Sequence, residues 1–165
     1  METLEKSGFS IIRDFISQEE EIHLLEYLYN APRKNTKSRN NIQRFGSSLP
    51  YKSNMISNEI PKHFNFLLDR IMDNNILDVI TVNQYLKGQF ISPHIDSKTS
   101  GSVITILSLL SDVNMIFTLN KQKESVEFPA RSLVQLKNDI RNIWQHSIEP
   151  VKSTRYSIVF RCSTT

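Results

Sequence analysis

Ile80-Thr81-Val82-Asn83-Gln84-Tyr85-Leu86-Lys87-Gly88-Gln89-Phe90-Ile91-Ser92-Pro93-His94-Ile95-Asp96 sets two runs of apolar and β-branched residues on either side of one glycine turn. Residues of that kind suit a pleated, half-buried surface, so Ile80 to Leu86 and Phe90 to Ile95 read as strands, with Gly88 turning the chain between them. Pro93 has no amide proton to give to a ladder, and regular pairing is expected to end there. The same texture continues at Val103 to Leu110, Asn114 to Leu119, Ser125 to Phe128, Ser132 to Leu136, Ile143 to Ile148 and Tyr156 to Arg161. So many short strands in one half of a domain-sized chain imply a sandwich or jelly roll.

Upstream the period changes. Phe9, Ile11 and Ile12 with Phe15 read as a short strand. Ser17 and Glu20 then form a Ser-x-x-Glu capping box, and Ile22, Leu25, Leu28 and Tyr29 follow at helical spacing until Pro32. A second helix is predicted from about Asn58 to Pro61 onward, with Ile60, Phe64, Leu67, Leu68 and Ile71 on one face and Asp73, Asn74 and Asn75 closing it. The expectation is a mainly β, α+β domain over residues 1–165. Residues 1–78 form an N-terminal extension and 79–165 the core, with two helices packed on one sheet.

Composition excludes several classes. Of the 165 residues, 20 are basic and 17 acidic, a net charge of +3 that is too mild to demand a polyanionic partner. A single cysteine, Cys162, rules out an intramolecular disulfide or a cysteine-based zinc site. No apolar run approaches the length of a membrane span and Met1 to Ser7 carries no signal-like core, so the expected location is cytoplasmic or nuclear. The charge is unevenly spread: Tyr27 to Asn58 contains no acid but holds Arg33, Lys34, Lys37, Arg39 and Arg44.

The chemistry begins at His94-Ile95-Asp96, where a spacing of two puts imidazole and carboxylate on one face. His146 falls in another predicted strand, on the same face as the apolar Trp144 and Ile148, so it should point inward. Two histidines and a carboxylate bound facially form the ligand set of non-haem Fe(II) oxygenases, which leaves coordination positions open. Arg155 and Arg161, six apart on an apolar strand, share a face; if that face is internal, a small dicarboxylate could satisfy both.

The ordered set Asn83-Gln84-Tyr85-x-x-Gly88, His94-x-Asp96, Trp144-x-His146 and Arg155 with Arg161 closely resembles the AlkB family of Fe(II)/2-oxoglutarate-dependent dioxygenases. Gln43-Arg44-Phe45-Gly46 is similar to that family's loop before the catalytic core, so the likeness spans nearly the whole chain. Within the family, Thr81 to Asp96 is most similar to the oxygenase domain of the wobble-uridine hydroxylase of tRNA. The resemblance implies a double-stranded β-helix (jelly-roll) core, with Fe(II) on His94, Asp96 and His146, and 2-oxoglutarate and O2 as co-substrates. It also implies that Arg155, helped by Asn83 and Tyr85, meets the distal carboxylate of 2-oxoglutarate, and that Arg161 steadies Asp96 or the keto acid. Ser157 stands where the family frequently has Asn and is counted among the co-substrate contacts, with a shorter reach. Lys98 stands where bacterial DNA-repair members carry an acid that assists base recognition.

The implied substrate is a base in RNA or single-stranded DNA, with oxidative demethylation of an N-alkylated base as the expected outcome. Arg33, Lys34, Arg39, Arg44, Phe45, Tyr51 and Lys98 are the expected substrate contacts, the aromatics by stacking and the cations by holding phosphate. The alternatives are hydroxylation of a modified tRNA wobble uridine or of a protein, a nucleic-acid binding module without catalysis, and a zinc hydrolase on the same roll. A monomer is expected, with a protein partner for specificity as an option. Trp144 reads as a core wall, His23 and His63 as structural, and Arg131 and Arg141 as charges in turns around the last strands, equally well surface groups or substrate contacts.

Overall fold

Along the last strand, β10 (Arg155–Arg161), successive side chains face opposite ways, and two cores result. Tyr156, Ile158 and Phe160 point to one side, where they join Leu24, Leu25, Leu28, Phe64 and Leu67 from helices. Val159 points to the other and packs with Phe117, Val126 and Phe128 of an opposing sheet. Because Arg155, Ser157 and Arg161 share Val159's face, the fold directs both arginines between the sheets. The structure is a computed structural model that describes residues 1–33, 41–47, 56–71 and 77–162.

In chain order the elements are α1 (Glu2–Lys6), β1 (Phe9–Ile12), α2 (Gln18–Asn30), β2 (Ile42–Gly46), α3 (Asn65–Arg70), β3 (Val79–Tyr85), β4 (Ile91–His94), β5 (Ile104–Leu109), β6 (Val113–Leu119), β7 (Gln122–Phe128), β8 (Leu133–Leu136), α4 (Asn138–Asn142) and β9 (Gln145–Ile148), before β10. Six strands form one sheet in the order β1-β8-β5-β10-β3-β2, and four form the other in the order β4-β9-β6-β7. The pairings within the strands are antiparallel. This is the jelly-roll arrangement expected from the strand count. The N-terminal stretch supplies both outer strands of the larger sheet, β1 and β2.

The capping box forms as predicted: the Ser17 hydroxyl accepts from the Glu20 amide and the Glu20 carboxylate accepts from the Ser17 amide. The second helix starts later than predicted, with a 3-10 turn at Lys62–Phe64 leading into α3. Asp73, Asn74 and Asn75, expected to close it, lie outside the described residues. Gly88 turns the chain between β3 and β4 with φ +85°, as predicted, and carries it from the larger sheet to the smaller. The strand expected from Ile143 begins only at Gln145, because residues 138–142 form α4. A helix of five residues spans too few positions for its periodicity to be read, and the same holds for α1.

Candidate metal and co-substrate site

The two candidate histidine ligands are brought together by strand pairing. β4 lies beside β9 in the smaller sheet with His94 directly opposite His146, and the ring centroids are 4.3 Å apart. Asp96 follows just beyond the end of β4, and its Oδ2 is 3.8 Å from His146 Nε2. One ligand atom from each of the three residues lies within 4.8 Å of the others. Among the described residues this is the only group of three or more His, Cys, Asp or Glu close enough to hold a metal.

The surroundings put each group in its ligating form. His94 Nδ1 is 2.9 Å from the Ser92 carbonyl; a proton on Nδ1 makes that bond and leaves Nε2 to face a metal. Burial, helped by the neighbouring His94, lowers the His146 imidazole to about 4, so it is neutral near pH 7. For Asp96, burial pushes the carboxyl up, but the Arg161 guanidinium and the two imidazoles outweigh it and hold the group below the usual carboxylate range. Arg161 Nη2 donates to Asp96 Oδ1 at 3.1 Å, the steadying contact expected for it.

A cleft of about 250 Å³ runs between the sheets, with His94, Asp96, His146 and Arg161 on its wall together with Asn83, Tyr85, Arg155 and Ser157. Ile106, Met115, Ile148 and Val159 supply apolar lining. Arg155 is 1% exposed. Its Nε donates to Ser108 Oγ at 3.0 Å, yet among the described residues Nη1 and Nη2 have no hydrogen-bond partner. The guanidinium is sandwiched between Tyr85 and Phe128, its carbon 5.5 and 5.4 Å from their ring centroids, and burial lowers it to about 10. A buried cation with two idle donors is costly, and a small carboxylate in the cleft satisfies both nitrogens as a fork. Ser157 faces Asn83 in the β10–β3 register and accepts from its Nδ2 at 3.4 Å. The donor set fits Fe(II), and the idle guanidinium nitrogens fit the free carboxylate of 2-oxoglutarate.

The expected substrate contacts fare unevenly. Arg44 reaches the cleft from β2. Lys98 is exposed in a 3-10 turn two residues past Asp96. Phe45 is a correction: at 2% exposure it packs against Tyr27 and Phe64 in the core between helices and sheet, and so enclosed a ring cannot stack on a base. Arg33 is half-buried, and its Nη2 donates to the carbonyls of Leu28 and Tyr29 at the end of α2. Lys34, Lys37, Arg39 and Tyr51 lie outside the described residues.

Three residues were missed or undervalued in the sequence. Gln43, 2% exposed, donates to the carbonyls of Leu28 and Ala31 and ties β2 to the same helix end. Arg141 is no surface charge: it is 3% exposed and donates to the carbonyls of Asp96, Ser97 and Gly101. Phe90 is 58% exposed on the wall of a second cleft, about 450 Å³, which meets the first at Tyr85, Ile91 and His94. Its position beside the Gly88 turn was the available signal, since an aromatic in a turn between two sheets has no sheet face to bury against.

No family model matches the chain. Among curated proteins it is 34% identical over 177 residues to the uncharacterized protein L905 of Acanthamoeba polyphaga mimivirus, covering 94% of this chain and 84% of that one. It is 29% identical to the tRNA (carboxymethyluridine(34)-5-O)-methyltransferase alkbh8 of Xenopus tropicalis over 88% of this chain, which spans only 26% of that protein's length. Among solved structures, OsALKBH1 superimposes with a TM-score of 0.71 at 12% identity over 93% of this chain and 97% of its own. A 2OG-Fe(II) oxygenase family oxidoreductase from Burkholderia pseudomallei gives a TM-score of 0.67 at 12% identity over 98% and 87%. Those structural likenesses establish the fold, that of the 2-oxoglutarate/Fe(II) oxygenases. Together with the 29% match to alkbh8 and the His-Asp-His group, they make the chain AlkB-like, similar to the Fe(II)/2-oxoglutarate-dependent dioxygenases.

Proposed function

We propose that this protein oxidises a base in RNA or single-stranded DNA, with Fe(II) on His94, Asp96 and His146 and 2-oxoglutarate held by Arg155. The observation that carries the reading is the presence in one cleft of the three ligands and a buried guanidinium with two idle nitrogens. Bound there, Fe(II) and the keto acid supply oxidation by O2: 2-oxoglutarate leaves as succinate and CO2, and one oxygen atom enters a substrate C–H bond. On a methyl carried by nitrogen, the hydroxylated product releases formaldehyde; on a ring or side-chain carbon, the hydroxyl stays.

The chain's own residues bind and orient. Arg155 takes the far carboxylate, Asn83 and Ser157 add polar contacts beside it, and Arg161 fixes the rotation of Asp96. Ile106, Met115, Ile148 and Val159 keep the cleft poor in water. The base enters over His94 from the cleft beside Phe90, whose exposed ring offers a stacking surface. A base reached this way has left its stack, which favours single strands and loops. Arg44 at the cleft and the acid-free segment around Lys34, Lys37 and Arg39 provide positive charge for phosphates.

Demethylation of an N-alkylated base is the first reading. Hydroxylation of a tRNA wobble uridine is the second, favoured by the match of most of this chain to alkbh8, whose name specifies carboxymethyluridine 34 of tRNA. Mass spectrometry of nucleosides from methylated RNA, methylated DNA and tRNA pools, after incubation with Fe(II), ascorbate and 2-oxoglutarate, separates the two. Loss of a methylated nucleoside in the wild type but not in His94→Ala supports the first, and a +16 Da uridine derivative the second. Salt-independent activity that survives neutralisation of Lys34, Lys37 and Arg39 counts against a nucleic acid and for a protein substrate.

A further inference from the structure

We propose that Arg141 is a positioning residue: its guanidinium clamps the backbone of the loop that carries Asp96 and so sets the geometry of the metal ligands. The inference rests on the iron reading above. Strand β4 ends at His94, where the pairing with β9 stops, so Asp96 receives no ladder bonds in an irregular stretch that lasts until β5. A ligand on such a segment is free to swing unless something else holds it.

Arg141 supplies the missing bonds. Its Nη1 donates to the Asp96 carbonyl at 3.0 Å, its Nη2 to the Ser97 carbonyl at 2.6 Å and its Nε to the Gly101 carbonyl at 3.2 Å. One planar fork thereby ties both ends of the loop together, a geometry that a lysine ammonium cannot reproduce in full. Inside the clamp the Ser100 amide donates to the Ser97 carbonyl at 2.9 Å, and the Thr99 amide to Ser97 Oγ at 3.4 Å. Arg161 meanwhile holds the carboxylate itself. Two arginines thus divide the work, one orienting the side chain of Asp96 and the other its backbone.

The clamp has a firm base. Arg141 sits on α4, where the Ile140 amide donates to the Ser7 carbonyl at 2.9 Å and the Lys137 amide to the Gly8 carbonyl at 3.0 Å. The loop is therefore referred, through one buried guanidinium, to the N-terminal turn of the chain rather than to its own sheet.

The test uses Arg141→Met, Arg141→Lys and, as a destabilised control remote from the clamp, Leu67→Ala in the core between helices and sheet. Two readouts need no turnover. The first is hydrogen exchange of the Thr99 and Ser100 amides in metal-free protein, expected to be about tenfold faster in Arg141→Met. The second is Co(II) affinity followed through Trp144, the sole tryptophan, two residues from His146. It is expected to fall about 10- to 100-fold in Arg141→Met and by less in Arg141→Lys, with no change in Leu67→Ala. The inference is overturned if a folded Arg141 variant binds Co(II) as tightly as wild type, or if Leu67→Ala weakens binding as much. Should Arg141→Met not fold, Arg141→Lys carries the comparison. Wild type that binds no more Co(II) than His94→Ala sinks the iron reading instead, and the exchange readout still reports on the clamp.

Discussion

His94 and His146 stand opposite one another across the β4–β9 ladder with their rings 4.3 Å apart, so the two imidazoles are neighbours before any metal arrives. Burial and that proximity lower His146 to about 4 from its usual 6.5. Between those values the unfolded chain binds a proton at this position that the folded protein does not. Stability of the metal-free protein is therefore full above about pH 6.5 and declines as the pH falls toward 4, with Asp96 adding a further loss below the usual carboxylate range. His146→Gln should flatten the upper part of that profile in urea unfolding measured from pH 7 to 4; an unchanged slope assigns the effect elsewhere.

Arg155 pairs a full positive charge with two idle donors. Arg155→Met should leave metal-free stability unchanged or raise it, because an apolar chain of similar length removes the uncompensated burial. Wild type should melt higher when 2-oxoglutarate is added, by roughly 3 kcal/mol of stability at about a hundred times its dissociation constant. The variant should show no such rise. Equal ligand-induced shifts in both proteins would remove Arg155 from the co-substrate site.

Phe90 is exposed on a cleft that meets His94. Phe90→Ala should weaken binding of a single-stranded oligonucleotide substrate by about 1–3 kcal/mol, the range for losing one stacked base, and raise its KM. Substrate-independent turnover of 2-oxoglutarate to succinate should persist. A variant with unchanged KM shows that the base enters by another route.

Phe45 makes the opposite prediction. Its ring is enclosed by Tyr27 and Phe64, and Phe45→Ala should cost about 3–5 kcal/mol in chemical unfolding. At temperatures where the variant remains folded, its oligonucleotide affinity should be close to wild type.

Most of the strands and helix α2 were legible because each carries its own periodicity, and because Ser17 with Glu20 marks a helix start within four residues. The inward face of Arg155 and Arg161 was legible as a parity, since both sit at odd positions in a run whose even positions are Tyr156, Ile158 and Phe160. Arg141 was not, because a single arginine in a polar stretch has the same local pattern whether solvated or buried. Phe45 misled for a related reason. It lies in an acid-free, aromatic-bearing segment that suits a nucleic-acid surface, while the rings that enclose it, Tyr27 and Phe64, come from α2 and the turn before α3.

By itself the sequence determined the fold class, the three candidate metal ligands and the pair of arginines, because alternation along a strand and the chemistry of imidazole, carboxylate and guanidinium are local properties. Tertiary structure decided what those groups meet. His146 faces His94 only because β9 pairs with β4 in that register, and Asp96 keeps its place only because Arg161 and Arg141 reach it from elements 65 and 45 residues away. Hydrogen bonds and burial depend on distance in space, and no residue's neighbours in the chain reveal which distant carbonyl or carboxylate will lie within reach of its side chain.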